Sequence, residues 1–379
     1  MKIVIAPDSY KESLSALDVA KAIESGFREI FPDAQYVKLP VADGGEGTVE
    51  AMVAATGGRV VKANVTGPLG EPLEAFFGLS GDENVAFIEM AAASGLESVP
   101  CAKRNPLKTT SFGTGELIRA ALDCGVKHCI IGIGGSATND GGSGMVQALG
   151  AKLLTKEGQD IGYGGGELAK LASIDVSGLD PRIKACRFEV ACDVTNPLTG
   201  KEGASAVFGP QKGATPEMIE QLDGYLNHYA QVIRRDLLID VDTIPGSGAA
   251  GGMGAALHAF CGAELRRGIE IVTEALGLDA LVKDATLVIT GEGRIDSQSI
   301  NGKVPIGVAR VAKRYNKPVI AIGGSLTKDV DVVFDHGLDA VFSVLYSICT
   351  LDEALENAAE NLRKTARNIA ATIRLAQKL

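Results

Sequence analysis

Five acidic or glycine-rich loops in this chain follow short apolar runs, and their side chains point to one kind of chemistry. They present Asp8, the pair Asp43 and Glu46, Asp140, Asp193, and the pair Glu292 and Asp296, with Lys11, Lys212, Arg294 and Lys303 near them. Carboxylates ligate hard cations, and basic side chains hold phosphoryl groups or organic acids. The four histidines are scattered and share no metal-ligand spacing, and the seven cysteines contain no Cys-x-x-Cys pair. Acid–base work therefore falls to Asp, Glu or Lys. Such a set suits metal-assisted phosphoryl transfer better than acyl transfer, because that reaction needs positioning and charge neutralisation more than a strong nucleophile.

The densest glycine segment is Gly132 to Gly144, with six glycines in thirteen residues after the apolar pair Ile130-Ile131. Glycine is unfavourable inside helices and strands, but it lets backbone N–H groups converge on an anion. Gly134, Gly135, Ser136, Gly141 and Gly142 are the candidate anion-binding positions. The segment contains Gly132-x-Gly134-x-x-Ala137, the form of a dinucleotide fingerprint. The context argues against it, because Asn139-Asp140-Gly141-Gly142 falls where the helix should begin and Asp140 would repel a pyrophosphate. No Walker-type loop is present: Gly200-Lys201 is followed by Glu202 and Gly302-Lys303 by Val304. Asp43 and Glu46 are candidate ligands of Mg²⁺, which takes one or two carboxylates plus phosphate oxygens and water. A turn with a helix-capping acid would read similarly.

These loops need elements to position them. The strand Ile3–Ala6 leads through Asp8 and Lys11 to a helix capped by Ser15, with Val19, Ile23, Phe27 and Ile30 on one face. The strand Tyr36–Leu39 leads through Asp43 and Glu46 to a helix through Val49. From about residue 60 the rhythm changes to a hairpin around Gly67-Pro-Leu-Gly70. After about residue 261 the strand-helix alternation resumes, with strands at Leu287–Thr290, Val319–Ile322 and Ala340–Leu345. The last helix opens with a capping box, Thr350 and Glu353. Continuous apolar strands between helices imply a parallel sheet covered on both faces. The reading is a doubly wound α/β domain built from both chain ends, 1–62 and 263–379, with a second α/β domain of mixed sheet inserted at 63–262.

At 379 residues, two domains are expected. A net charge of −10 argues against a nucleic-acid or anionic-membrane partner, so a small molecule is expected. The first residues form a strand rather than a signal peptide, and no apolar run approaches a membrane span. A cytoplasmic protein is the expectation. The odd cysteine count and apolar neighbours suggest mostly buried free thiols rather than bridges or metal ligands.

Taken together, these residues resemble the type 1 glycerate kinase family. The matching segments are Asp8-Ser-Tyr-Lys11, Ala42-Asp-Gly-Gly-Glu-Gly-Thr48, Thr66-Gly-Pro-Leu-Gly70, Arg104-Asn-Pro106, Ser111 through Glu116, Gly134 through Met145, Asp193-Val-Thr-Asn-Pro-Leu198, Phe208-Gly-Pro-Gln-Lys-Gly213, and Thr290-Gly-Glu-Gly-Arg-Ile-Asp296 with Gly302-Lys303. Glu12 departs from the pattern, where the family often has glycine.

The resemblance implies a flavodoxin-like domain plus a second α/β domain, with the active site in the cleft between them. It also implies ATP- and Mg²⁺-dependent phosphorylation of D-glycerate, to 2-phosphoglycerate or, in some assignments, 3-phosphoglycerate. On this reading ATP lies against the glycine-rich loops, with Gly134, Gly135, Ser136, Gly141, Gly142, Glu292 and Lys303 as nucleotide contacts. Asp8, Arg104 and Lys212 are expected to bind the substrate, and Asp43 and Glu46 the metal. Asp193 or Asp296 would take the hydroxyl proton, with Lys11 assisting. A homodimer is left open. Two other classes stay in view, a nicotinamide-dependent dehydrogenase of a small hydroxy acid and a non-catalytic organic-acid-binding protein.

Overall fold

The computed structural model describes residues 1–379. The chain opens with strands β1 (Lys2–Ile5) and β2 (Gln35–Lys38), then passes through β3 (Arg59–Thr66), β4 (Pro72–Leu79), β5 (Val85–Glu89) and β6 (His128–Gly132). Next come β7 (Lys152–Leu154), β8 (Ser173–Asp175), β9 (Arg187–Ala191) and β10 (Glu264–Arg266), and the chain closes with β11 (Leu287–Ile295), β12 (Val319–Leu326) and β13 (Ala340–Ser343). Two compact units result. The first comprises Met1–Asp43, Glu50–Gly57 and Ile269–Leu379, and the second Gly44–Val49 and Gly58–Gly268.

The first unit holds a five-stranded parallel sheet in the order β2-β1-β11-β12-β13. Counted along this sheet alone, the order is 2-1-3-4-5, so winding reverses at the β1/β11 junction. Ile3, Ile5, Leu287 and Ile289 face one layer of helices, Ala16–Arg28 and Ala358–Ala376, which bury Val19, Ile23, Phe27, Leu362 and Ile369 against them. Alternate residues such as Val4 and Val288 are fully buried towards the other face, where the helix Val304–Lys313 packs on β11 and β12. Each large aliphatic or aromatic side chain so buried is worth about 1.5–3 kcal/mol. Ser15 caps the helix Ala16–Arg28 by accepting from the Asp18 N–H at 3.2 Å. Both halves of the Thr350/Glu353 capping box form.

Two strands outrun their sequence reading. β11 and β12 continue beyond Thr290 and Ile322, because backbone pairing carries on across the glycines, with Gly291 opposite Ile322, Glu292 opposite Gly323 and Arg294 opposite Ser325. The side chains expected on loops, Glu292 and Arg294, therefore stand on a strand.

In the second unit β3 and β4 form the hairpin, paired antiparallel over eight residues, and β4 pairs antiparallel with β5. Parallel pairing then runs β5-β6-β9-β10, making a mixed six-stranded sheet, while β7 and β8 form a separate antiparallel pair. The glycine-rich stretch at 245–254 is partly helical. It enters the helix Ala249–Cys261 through left-handed turns at Ala250, Gly251 and Gly252. All seven cysteines are free, but only Cys129, Cys186 and Cys261 are buried. Cys101, Cys124 and Cys349 are exposed, so apolar neighbours in sequence overstated thiol burial. No helix is long and apolar enough to cross a membrane.

The layer of helices in the first unit depends on close approach at Gly26. A Cβ there would meet Arg363 O at 2.2 Å and Arg367 N at 2.8 Å. Gly26→Ala is expected to destabilise the fold by roughly 1–3 kcal/mol from overpacking, partly offset by about 1 kcal/mol of helix propensity. A lower urea midpoint at unchanged slope supports this packing, and an unchanged or higher midpoint contradicts it.

Candidate active site

In the first unit the strand ends at the switch point open into a cavity of about 650 Å³. Its charged lining comes from the loop after β1 (Asp8, Lys11, Glu12), from Asp43, from the end of β11 (Glu292, Arg294), and from Lys303 at the start of the helix Val304–Lys313. Parallel pairing sets this convergence: Asp8 N–H donates to Gly291 O at 2.8 Å, one residue before Glu292. Tyr10 anchors the loop from below, with its hydroxyl donating to Ile322 O at 2.8 Å.

Burial shapes the charges of this cavity. Burial first, then the Asp43 carboxylate, pushes Asp8 up to about 7, with Glu292 adding to the rise and Ser9 hydrogen bonds opposing it. Burial likewise pushes Glu292 up to about 7, against the Ser299 hydroxyl, which donates at 2.6 Å, and the Lys303 ammonium at 3.6 Å. Asp296 has a different environment. It caps the turn Ser297–Asn301 by accepting from Gln298 N–H at 2.9 Å, and it pairs with Arg294 at 3.3 Å and Lys303 at 3.7 Å. No three His, Cys, Asp or Glu side chains of the chain gather closely enough to hold a metal ion by themselves.

In the second unit the Gly132–Gly144 segment leaves β6 as a loop whose first part, Gly134 and Gly135, is exposed, while the rest is buried. Lys212 lies beneath it, almost wholly buried in a single 3₁₀ turn, Pro210–Lys212. Its ammonium donates to Ser136 Oγ at 2.8 Å and Thr138 O at 2.6 Å. Burial pushes Lys212 down to about 7, with the Asp140 carboxylate opposing. Arg104 braces the same turn, its guanidinium reaching Gln211 O at 3.4 Å.

Asp140 faces a helix start. Its carboxylate accepts from Ser111 N and Oγ at 2.9 and 2.7 Å and from Gly142 N at 3.0 Å, tying two loops to the helix Ser143–Ala148. Burial raises its pKa against these bonds.

Residues 3–374 match the sequence model of the glycerate kinase family. The chain belongs to that family. It is 68% identical to the glycerate 2-kinase of Escherichia coli strain K12 over 100% of this chain and 99% of that protein, and 59% identical to the glycerate kinase of Bacillus subtilis strain 168 over the same shares. A crystal structure from Salmonella typhimurium LT2, provisionally called glycerate kinase 2, superposes with a TM-score of 0.94 at 73% identity, covering all of both chains.

In this member of the glycerate kinase family, the structure brings Asp8, Lys11, Asp43, Glu292, Arg294 and Lys303 to one cavity. Ser136 and Lys212 meet in the other unit, next to the exposed Gly134 and Gly135. Other expected site residues stand elsewhere. Gly141 and Gly142 do not reach a ligand surface. Both are buried at positive φ, where a Cβ would meet the Tyr229 ring at 2.8 Å and Ala256 Cβ at 2.6 Å, so packing explains why they are glycine. Glu46 is exposed on the second unit and is not in the cavity lining that includes Asp43. Asp193 is exposed and accepts from Gly268 N–H at 3.2 Å. The role of Asp8 and Glu292 as the carboxyls raised towards neutrality escaped sequence reasoning, because desolvation depends on neighbours distant in the chain.

Glu12, the departure from the family pattern, has φ +63°, the left-handed conformation that favours glycine. Glu12→Gly is therefore expected to stabilise the protein by up to about 1 kcal/mol, after the entropy cost of glycine. A loss of stability in thermal unfolding would contradict a strained loop.

Asp8 supplies a pH test. A carboxyl whose folded pKa is raised binds more protons folded than unfolded between the two values, so stability falls as pH rises from about 4 through 7. Asp8→Asn removes that charge. It is expected to be more stable than wild type at pH 8, with the difference shrinking as pH falls through 7 towards 4. An Asn variant less stable at pH 8 would show that Asp8 is not a strained carboxylate.

Proposed function

We propose that this chain is a glycerate 2-kinase, transferring the γ-phosphoryl group of ATP to the 2-hydroxyl of D-glycerate to give 2-phosphoglycerate and ADP. The observation that carries this reading is the first-unit cavity, where four carboxylates, Asp8, Glu12, Asp43 and Glu292, share a lining with Lys11, Arg294 and Lys303. That charge pattern fits a polyphosphate with a hard cation, and the family supplies the substrate.

The residues fit Mg²⁺: Asp8, Asp43 and Glu292 are all oxygen donors, and their mutual repulsion is relieved by a cation. Asp43 and Glu292 would hold it, and it would neutralise charge on the triphosphate when bound. Asp8 is the base in this reading. Its carboxylate accepts from the Ser9 N–H and hydroxyl and lines the cavity beside Asp43 and Glu292. It accepts the 2-hydroxyl proton as the new O–P bond forms and the bond to ADP breaks. Lys303, Lys11 and Arg294 neutralise the phosphoryl oxygens. In the second unit, Lys212 holds the Gly134–Ser136 loop from beneath, and Arg104 keeps the Lys212 turn in place. Asp193 and Asp296 act in structure: Asp296 caps a turn and orients Lys303. A kinase of this kind draws on the cytoplasmic ATP pool.

Incubation with D-glycerate, ATP and Mg²⁺, read by phosphorus NMR, is expected to show 2-phosphoglycerate. Formation of 3-phosphoglycerate overturns the position, and no phosphoglycerate overturns the activity. In the same assay Asp8→Asn is expected to lower kcat by about 10²–10⁴. The wild-type rate should rise with pH as Asp8 loses its proton, below 7 once a cation lies beside it, and Asp8→Asn should lose that rise. Asp193→Asn and Asp296→Asn should retain far more turnover than Asp8→Asn.

A further inference from the structure

We propose that the first-unit cavity is the nucleotide site, and that its aliphatic wall, Val344, Leu345, Leu351, Ala354, Leu355 and Ala358, holds the base of ATP. This rests on the kinase reading above and adds where the nucleotide lies and how it is oriented.

The wall comes from the residues just after β13 (Val344, Leu345), the helix Leu351–Glu356 and the first residue of the helix Ala358–Ala376, whereas the charged lining comes from the loops after β1 and β2, the end of β11 and the start of the helix Val304–Lys313. In the sheet, β13 lies two strands from β11. At the usual spacing of neighbouring strands the two linings are about 10 Å apart. A ligand filling the cavity must therefore be apolar at one end and polyanionic at the other, with a polar spacer between. A nucleoside triphosphate has that form, with base, ribose and phosphates in sequence. A three-carbon acid does not, and it would leave most of the 650 Å³ empty.

Two of these aliphatic residues are unusually open, whereas Val344 and Ala358 are buried and fix the wall in place. Leu345 is 46% and Leu351 70% exposed, although both line the cavity. Exposed large aliphatics beside a concave charged site mark the place where a ligand face is covered. The position agrees with the general rule for open parallel sheets, in which ligands bind beyond the carboxyl ends of strands at the switch point. The base is thus expected over β13 and the helix Leu351–Glu356, and the triphosphate over Lys303, Arg294 and Lys11.

Leu351→Asp tests this, because the side chain is largely exposed and adds little to the core. Ala354→Phe, which fills the wall instead of charging it, is the second variant. Both are assayed for phosphorylation of D-glycerate, and both are titrated with ribose-labelled fluorescent ATP. The expected result is a rise of about tenfold or more in the KM for ATP, with a matching loss of fluorescent-ATP affinity. The KM for D-glycerate and the kcat at saturating ATP should change less than twofold. Adenosine, which lacks the phosphates, should compete with ATP in wild type and lose that ability in the variants. Unchanged ATP KM and affinity in both folded variants, with kinase activity intact, would overturn the placement and leave the kinase reading standing. Failure of the wild-type protein to phosphorylate D-glycerate, with nucleotide affinity still lost in the variants, would overturn the kinase reading instead.

Discussion

Parallel pairing of β1 with β11 joins two segments some 284 residues apart in the chain. Thr290 Oγ donates to Ala6 O at 2.8 Å and Asp8 N–H to Gly291 O at 2.8 Å, so the register of two strands fixes where two carboxylates stand. A slip of one residue would send each side chain to the opposite face of the sheet. The charged cavity, the raised carboxyls and the Lys303 ammonium all follow from that register. The helices on both faces hold it by burying the aliphatic stripe of the sheet.

Much of this was legible in the sequence. Alternating strand and helix patterns at both chain ends, the hairpin around Gly67–Gly70 and the Ser15 and Thr350 caps all rest on short-range chemistry, and that chemistry appears in the structure. Strand ends were harder to read. Glycine marks turns, yet in β11 and β12 it continues the ladder, because the partner strand rather than local propensity decides whether the backbone pairs.

The site was legible as a set of residues and less so as a set of roles. Asp8, Lys11, Asp43, Glu292 and Lys303 share a cavity, although no local pattern shows which carboxyl is desolvated. The sequence points to Asp193 or Asp296 as the base and to Asp8 only as a substrate contact, whereas in the structure Asp296 is held by Gln298 N–H, Arg294 and Lys303. Glycines in one loop likewise serve different ends: Gly134 and Gly135 are exposed, while Gly141 and Gly142 make room for Tyr229 and Ala256. A glycine-rich segment therefore states that the backbone is crowded or bent, but not by what.

Lys212 and Asp8 are held near 7 by the same cause acting on opposite charges, since burial disfavours the ammonium and the carboxylate alike. An anion beside Lys212 favours its proton and a cation beside Asp8 favours its loss, so each ligand stabilises the charged form that burial opposes. The protein keeps its charges largely muted until its partners supply the counter-charges, which lowers the cost of burying them in the meantime.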